Sequence, residues 1–288
     1  MLVHLKEIVR KAQAEGYGLG AFNTSNLEVT KAIIEAALAK NSPIIIQVSE
    51  ATINYVGLLP VTNLIKTFAQ NSGAKIPVVI HLDHGKNFQI IKACLKAGFR
   101  SVHIDASDKP LAQNVAMTKK IVNYAHHFGA WVQGELGSLY GKEGLAKIKL
   151  PKNPNDYLTD PKKVKVYVAK TKIDTLAVSV GTMHGFYVGK EKIDLNRVRA
   201  IAQETKIPLV LHGSSGVNPA ILKKAISAGI RIVNIDTALR ITFTKTLRKT
   251  VSQVKEFYDP RKILAPSMAA VQKTVEEQLA ILGSAHKI

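Results

Sequence analysis

Eight short segments rich in Val and Ile, each followed by a stretch of helical period, predict a single-domain (β/α)8 barrel, the TIM-barrel class, over residues 1–288. Two further observations agree. No linker or change of composition divides the chain. Eight βα units also fit one domain of this length. The alternative topology is a doubly wound open sheet.

In order, the segments are "GLGAFN" (18–23), "PIIIQVS" (43–49), "PVVIHLD" (77–83), "SVHIDAS" (101–107), "WVQGELG" (131–137), "TLAVSVG" (175–181), "PLVLHGS" (208–214) and "RIVNIDT" (231–237). Short apolar runs bounded by turn residues suit strands buried on both faces, as a parallel sheet requires. Between them, "LEVTKAIIEAALAK", "NFQIIKACLKAGF" and "PAILKKAISAG" carry apolar residues at helical spacing. Gly98 and Gly229 stand where two such helices should close before the next strand.

Composition narrows the function classes. A hydrophobic content of 46% argues against disorder. A chain of this length buries roughly 75% of its unfolded surface. The net charge of +19, from 40 Lys+Arg against 21 Asp+Glu, favours anionic partners such as phosphorylated metabolites or nucleic acid. The lysines fall singly along helices, so most of them read as a solvated shell. Aromatics are only 6%, which argues against a base-stacking nucleic-acid surface. The single cysteine, Cys94, permits no internal disulfide and is expected in the core. The start "MLVHLKEIVRKAQAEG" lacks the long apolar region of a signal peptide. No apolar run approaches the ~18 residues of a membrane span. The expectation is a cytoplasmic enzyme with no membrane and no nucleic-acid partner.

"HLDHG" (81–85) sets two histidines and an aspartate directly behind the apolar run 77–80. In this barrel class the C-terminal strand ends build the active site. Asn23, Asp83, His84, Asp105, Glu135, His184, His212, Asn234 and Asp236 all fall there. Neutral imidazoles suit zinc, and three protein ligands with one open position are the catalytic pattern. His84, His184 and His212 are therefore candidate metal ligands, with Asp105 and Glu135 as candidate oxygen ligands. His4, His126, His127 and His286 read as ordinary surface or core residues, and mid-strand His103 as packing. His81 should point inward with Asp83 by the period of two, as core filling or support for the metal ligands. "HGSSG" (212–216) and "NIDTALR" (234–240) offer clustered amides and a helix start where barrels frequently bind phosphate.

"AFNTSN", "SPIIIQVSE", "HLDHG", "AGFRSVHIDAS", "GELG", "GTMHG", "LVLHGSSG", "VNIDT" and "YDPRKIL" occur in this order. With them the chain resembles the class II fructose-bisphosphate aldolases from end to end. The resemblance implies reversible cleavage of fructose 1,6-bisphosphate to dihydroxyacetone phosphate and glyceraldehyde 3-phosphate. The epimeric tagatose bisphosphate is the alternative substrate. It implies zinc on His84, His184 and His212, able to shift toward Asp105 and Glu135, together with a monovalent cation, sodium or potassium. Asp83 matches the proton donor, and Glu143, in "GSLYGKEG", matches the base. Gly185, Gly213, Ser215, Asn234, Asp236 and Thr237 match phosphate contacts. Asn23, Ser214 and Ile235 complete the expected substrate-binding set. Arg261 matches a ligand of the far phosphate that reaches a neighbouring subunit's site, in a homodimer or homotetramer. No lysine lies in the eight strand segments, which argues against a Schiff-base aldolase. Two departures stand out: Gly144 follows the base where an acidic residue is common, and "FYVGK" has Val188 where a lysine is common, with Lys190 two positions on.

Overall fold

Every one of the eight apolar segments forms a strand. They are β1 (Leu19–Asn23), β2 (Ile44–Ser49), β3 (Val78–Gly85), β4 (Ser101–Ile104), β5 (Trp131–Leu136), β6 (Thr175–Val178), β7 (Leu209–Leu211) and β8 (Ile230–Ile235). All neighbours pair in parallel, and β8 pairs back onto β1, with Leu19 opposite Ile232, closing the barrel. The computed structural model describes residues 1–288 except 72–75, 140–152, 154–156, 184, 186–192 and 254–257.

The helices are α1 (Leu5–Glu15), α2 (Leu27–Ala39), α3 (Glu50–Val56), α4 (Leu58–Asn71), α5 (Phe88–Ala97), α6 (Leu111–His127), α7 (Pro161–Thr171), α8 (Leu195–Glu204), α9 (Pro219–Ala228), α10 (Thr237–Gln253) and α11 (Pro260–Leu282). Local chemistry sets their ends. Asn26, Asn87 and Asn218 accept backbone N–H groups at the starts of α2, α5 and α9. Gly98 closes α5 in the left-handed conformation and Gly229 follows α9, as the sequence predicts. Two helices, α3 and α4, fill the single crossover between β2 and β3. Helix α11 packs on α2 and α10.

The core has two layers. Between barrel and helices lies a continuous apolar shell that includes Ile33, Ile46, Ile80, Phe99, Val132 and Leu211. Cys94 belongs to it, and burial pushes its thiol up to about 12. Inside the barrel, Leu19, Ala21, Ile45, Val79, Ala177, Val210 and Ile232 form a second cluster. Leu5, Ile8, Val9 and Ala12 of α1 seal it from below. Each fully buried aliphatic side chain there contributes roughly 1.5–3 kcal/mol. Among the described residues no helix is long and apolar enough to cross a membrane.

Strands β4, β6 and β7 are shorter than their apolar segments suggest: residues 105–107, 179–181 and 212–214 lie beyond the strand ends.

Candidate active site

Strand alternation places the chemistry. One step of two residues above the apolar interior layer, the inward positions become Asn23, Gln47, His81, His212 and Asn234. His103, Gln133 and Glu135 occupy the corresponding places on β4 and β5. All eight are buried. The barrel is thus apolar at one end and polar at the other.

The end of β3 departs from regular pairing. Its register with β4 shifts between Leu82 and Gly85. His84 takes φ +49°, in the left-handed region. A non-glycine residue there costs of order 1–3 kcal/mol and persists only where its surroundings hold it. The His84 N–H donates to His103 Nδ1 at 3.3 Å. This bulge turns the His84 ring into the mouth.

His84 Nδ1 lies 2.8 Å from Asp105 Oδ2, and His84 Nε2 lies 3.0 Å from His212 Nδ1. His103 Nε2 is 3.3 Å from Glu135 Oε2. Two donor groups result: Asp83, His84, His103 and His212, and His84, His103, Asp105 and Glu135. In each group the ligand atoms all lie within 4.8 Å of one another. Two nitrogens bound at ~2.0–2.1 Å to a tetrahedral ion stand about 3.3 Å apart, close to the spacing of His84 and His212. Asp83 Oδ1 is buried with no hydrogen-bond partner among the described residues, and the buried His103 Nε2 and Glu135 Oε2 meet only each other, as an ion pair. A buried polar group left without a hydrogen bond costs about 1–3 kcal/mol, and a cation at Asp83 Oδ1 would remove that cost. The residues present therefore fit a divalent metal.

The electrostatics point the same way. Burial disfavours charge on His84, but Asp83, Asp105 and Glu135 together push its pKa up to about 10. Burial alone would raise Asp105, yet His84, His103 and Lys86 hold it far below the usual carboxylate range. The mouth demands positive charge. His81 is the contrast: burial pushes it down to about 3, and its Nδ1 pairs with Ser101 Oγ at 2.7 Å.

Beside the metal cluster a pocket is lined by Asn23, Asp83, Met183, Gly185, His212, Gly213, Ser215, Asn234, Asp236 and Thr237. All but Met183 are site residues read from the sequence. Thr237 is the first residue of α10, so a helix N-terminus borders the pocket, a favourable place for an anion. Gly213 is required for a visible reason. It has φ +65°, and a Cβ there would lie 2.3 Å from the Met183 carbonyl oxygen. Gly213→Ala is expected to lower stability by about 1–3 kcal/mol and to weaken substrate binding. A thermal melt and KM check this, and an unchanged pair of values would contradict it. Asp236 accepts from Arg240 Nε at 2.6 Å. Burial nevertheless raises the Asp236 pKa, with Arg240 opposing.

Some sequence expectations change. His103, read as packing, belongs to both donor groups. Its inward parity with Ser101 was the available signal. Gln133 was missed altogether; its amide meets His212 Nε2, the ring nitrogen facing away from His84, at 2.9 Å. Asp105 is more fully engaged than a free metal ligand: its oxygens also accept from Lys86 Nζ, Ser107 N and Ser107 Oγ. The Ser214 hydroxyl is spent on Asn234 O at 2.6 Å, and the Ile235 side chain is in the core, so neither side chain lines the pocket. Arg261 is not brought to this chain's pocket. Its exposed guanidinium pairs with Asp259 beside the start of α11. His184, Glu143, Gly144, Val188 and Lys190 lie outside the described residues, although Met183 and Gly185, flanking His184, both line the pocket.

A closed parallel barrel with imidazoles and carboxylates converging at its C-terminal mouth has the plan of a metal-dependent barrel enzyme. The chain belongs to the class-II fructose-bisphosphate aldolase family, whose model matches residues 3–287. It is 40% identical to a fructose-bisphosphate aldolase of Thermus caldophilus, with 99% of each chain covered. It is 38% identical to one from Staphylococcus aureus strain Mu50, again over 99% of each. Among solved structures, the YdjI aldolase from Escherichia coli K12 is similar at 28% identity and a TM-score of 0.85, covering 100% of this chain and 99% of that one.

Proposed function

We propose that the protein reversibly cleaves fructose 1,6-bisphosphate to dihydroxyacetone phosphate and glyceraldehyde 3-phosphate, with zinc as its metal and His84, His184 and His212 as its ligands. One observation carries this: the imidazole–carboxylate cluster and the anion-suited pocket share one mouth, with Asp83 and His212 common to both. When bound, the metal supplies Lewis-acid stabilisation of the negative charge that develops on the substrate ketone oxygen.

The chain's own residues supply the proton chemistry. Asp83 Oδ2 accepts from Asn23 Nδ2 at 2.8 Å, while Oδ1 has no hydrogen-bond partner among the described residues. One oxygen is pinned and the other is available. Burial works against ionisation of Asp83, but His84 and Asn23 outweigh it and lower its pKa. As a carboxylate, Asp83 can take the substrate hydroxyl proton when the carbon–carbon bond breaks. It returns that proton to the alkoxide when the bond forms. Glu143 is assigned the proton exchanged at the dihydroxyacetone phosphate carbon. The amides and side chains of Gly213, Ser215, Asn234 and Thr237 hold the phosphate of that half.

Coupled cleavage assays on fructose and tagatose bisphosphates, before and after chelation, test this. Activity on the fructose sugar should vanish on chelation and return with zinc. Undiminished turnover in protein shown to be metal-free would reject the metal role, and preference for the tagatose sugar would change the substrate. The monovalent-cation expectation rests on the segment around Val188, outside the described residues.

The exposed position of Arg261 supports a homodimer or homotetramer in which it serves a neighbour's site. Its fork can grip a phosphate through two parallel hydrogen bonds. Arg261→Ala should strongly reduce kcat/KM for bisphosphate cleavage and leave dihydroxyacetone phosphate proton exchange nearly intact. Equal losses in both, or none in either, would remove that role. A cytoplasmic location accords with this metabolic activity.

A further inference from the structure

The bulge that carries His84 runs on into Lys86, whose ammonium has no part in the proposed proton chemistry. Its backbone N–H is fixed by Glu50 Oε1 at 2.6 Å. From there the side chain reaches back so that Nζ lies 2.5 Å from Asp105 Oδ2. The stem is half-exposed, while the carboxylate it meets is buried. The same Oδ2 receives His84 Nδ1 at 2.8 Å, and Oδ1 receives Ser107 N and Oγ at 3.2 and 2.7 Å. The two donor groups at the mouth share His84 and His103. They differ in one respect. The group with Asp105 and Glu135 already holds a fixed cation against one of its carboxylates, and the group with Asp83 and His212 does not.

We propose that Lys86 is a positioning residue that, in departure from the shift toward Asp105 and Glu135 that the family resemblance implies, confines the metal to the Asp83/His84/His212 side of the mouth and excludes a second divalent ion from the Asp105/Glu135 side. This rests on the metal-dependent reading above. Two effects act together. A divalent ion on Asp105 must displace the ammonium from Oδ2 and then remain beside it, so like charges repel at short range in a poorly screened site. While Lys86 and His84 both hold Asp105, that carboxylate also keeps the His84 ring oriented by its Nδ1, leaving Nε2 on the His212 side. Glu135 and His103 alone are too few ligands to hold a catalytic ion tightly.

The test uses full-length protein without a histidine tag, as wild type, Lys86→Met and Lys86→Arg. Each is stripped by a chelator and titrated with zinc against a chromophoric competitor. The visible spectrum of the cobalt-loaded forms is a second readout. Wild type should take one tight zinc per chain. Lys86→Met should take a second, bound at least about tenfold tighter than any second ion in wild type, the order expected from removing one nearby charge. Its cobalt spectrum should show a second set of bands. Lys86→Arg keeps the charge and should return to one ion. The inference is overturned if Lys86→Met matches wild type in stoichiometry and spectrum, or if Lys86→Arg behaves like Lys86→Met. A wild type that takes up no tight zinc would sink the metal-dependent reading itself, a result distinct from a one-zinc wild type whose Lys86 variants are unaltered.

Discussion

His212→Ala is expected to abolish tight zinc binding and to lower cleavage turnover by about 10³ or more, with the barrel still folded. His212, with Asp83, joins the two halves of the site: its Nδ1 is 3.0 Å from His84 Nε2, and the residue lines the anion-suited pocket. A cation about 4 Å from one unit of developing charge contributes ~4 kcal/mol at an effective dielectric near 20, which is roughly 10³ in rate. The fold should survive because Thr182 holds the His212 backbone carbonyl, at 2.7 Å, not its ring. Stability should fall by about 1–3 kcal/mol, since the Gln133 and Asn234 amides lose their ring partner. Zinc content, kcat and circular dichroism measure the three quantities. Stoichiometric zinc together with full turnover in this variant would reject the assignment.

Asp83→Ala should lower cleavage turnover by roughly 10²–10⁴, the usual scale for a positioned proton-transfer group. Glu143→Ala should do the same, and proton exchange separates the two. Exchange of the dihydroxyacetone phosphate proton with solvent should collapse in Glu143→Ala and largely persist in Asp83→Ala. The reason is geometric as well as chemical. Asp83 sits at the strand end and lines the pocket where the carbon–carbon bond must break, with Oδ2 held by Asn23 and Oδ1 without a hydrogen-bond partner among the described residues. If Asp83→Ala lost exchange as completely as Glu143→Ala, the division of roles would be wrong. Asp83→Asn, which keeps the shape, should be nearly as slow as Asp83→Ala. If its turnover were close to wild type, the carboxylate would not be the proton carrier.

Much of this site is legible in the chain because a parallel barrel turns sequence position into location. A polar residue just after an apolar strand must come to the mouth, so Asn23, Asp83, His212, Asn234 and Asp236 could be placed together without coordinates. The phosphate-suited stretches followed from the same logic, since Gly213 and Thr237 come after the seventh and eighth strands. The two helix ends marked by Gly98 and Gly229 were equally plain, because a closing glycine acts over one turn of backbone.

What the sequence determined by itself was therefore the order of strands and helices, the polar end of the barrel, and the kinds of ligand gathered there. Tertiary structure decided the rest. His103 looked like packing because only the β4–β5 pairing register sets its ring 3.3 Å from Glu135. The left-handed turn at His84 depends on a register shift between β3 and β4, which no local pattern encodes. Asp105 was a ligand candidate by composition, yet its oxygens are taken up by His84, Lys86 and Ser107 once the loops fold over. Arg261 had the residue type for phosphate but is carried to an exposed position beside Asp259, away from its own chain's pocket. For the first three the physical reason is common: periodicity and caps are short-range properties of the backbone, whereas charge and hydrogen-bond neighbours at a barrel mouth come from residues up to 128 positions apart, as His84 shows with Asp105, 21 positions on, and with His212.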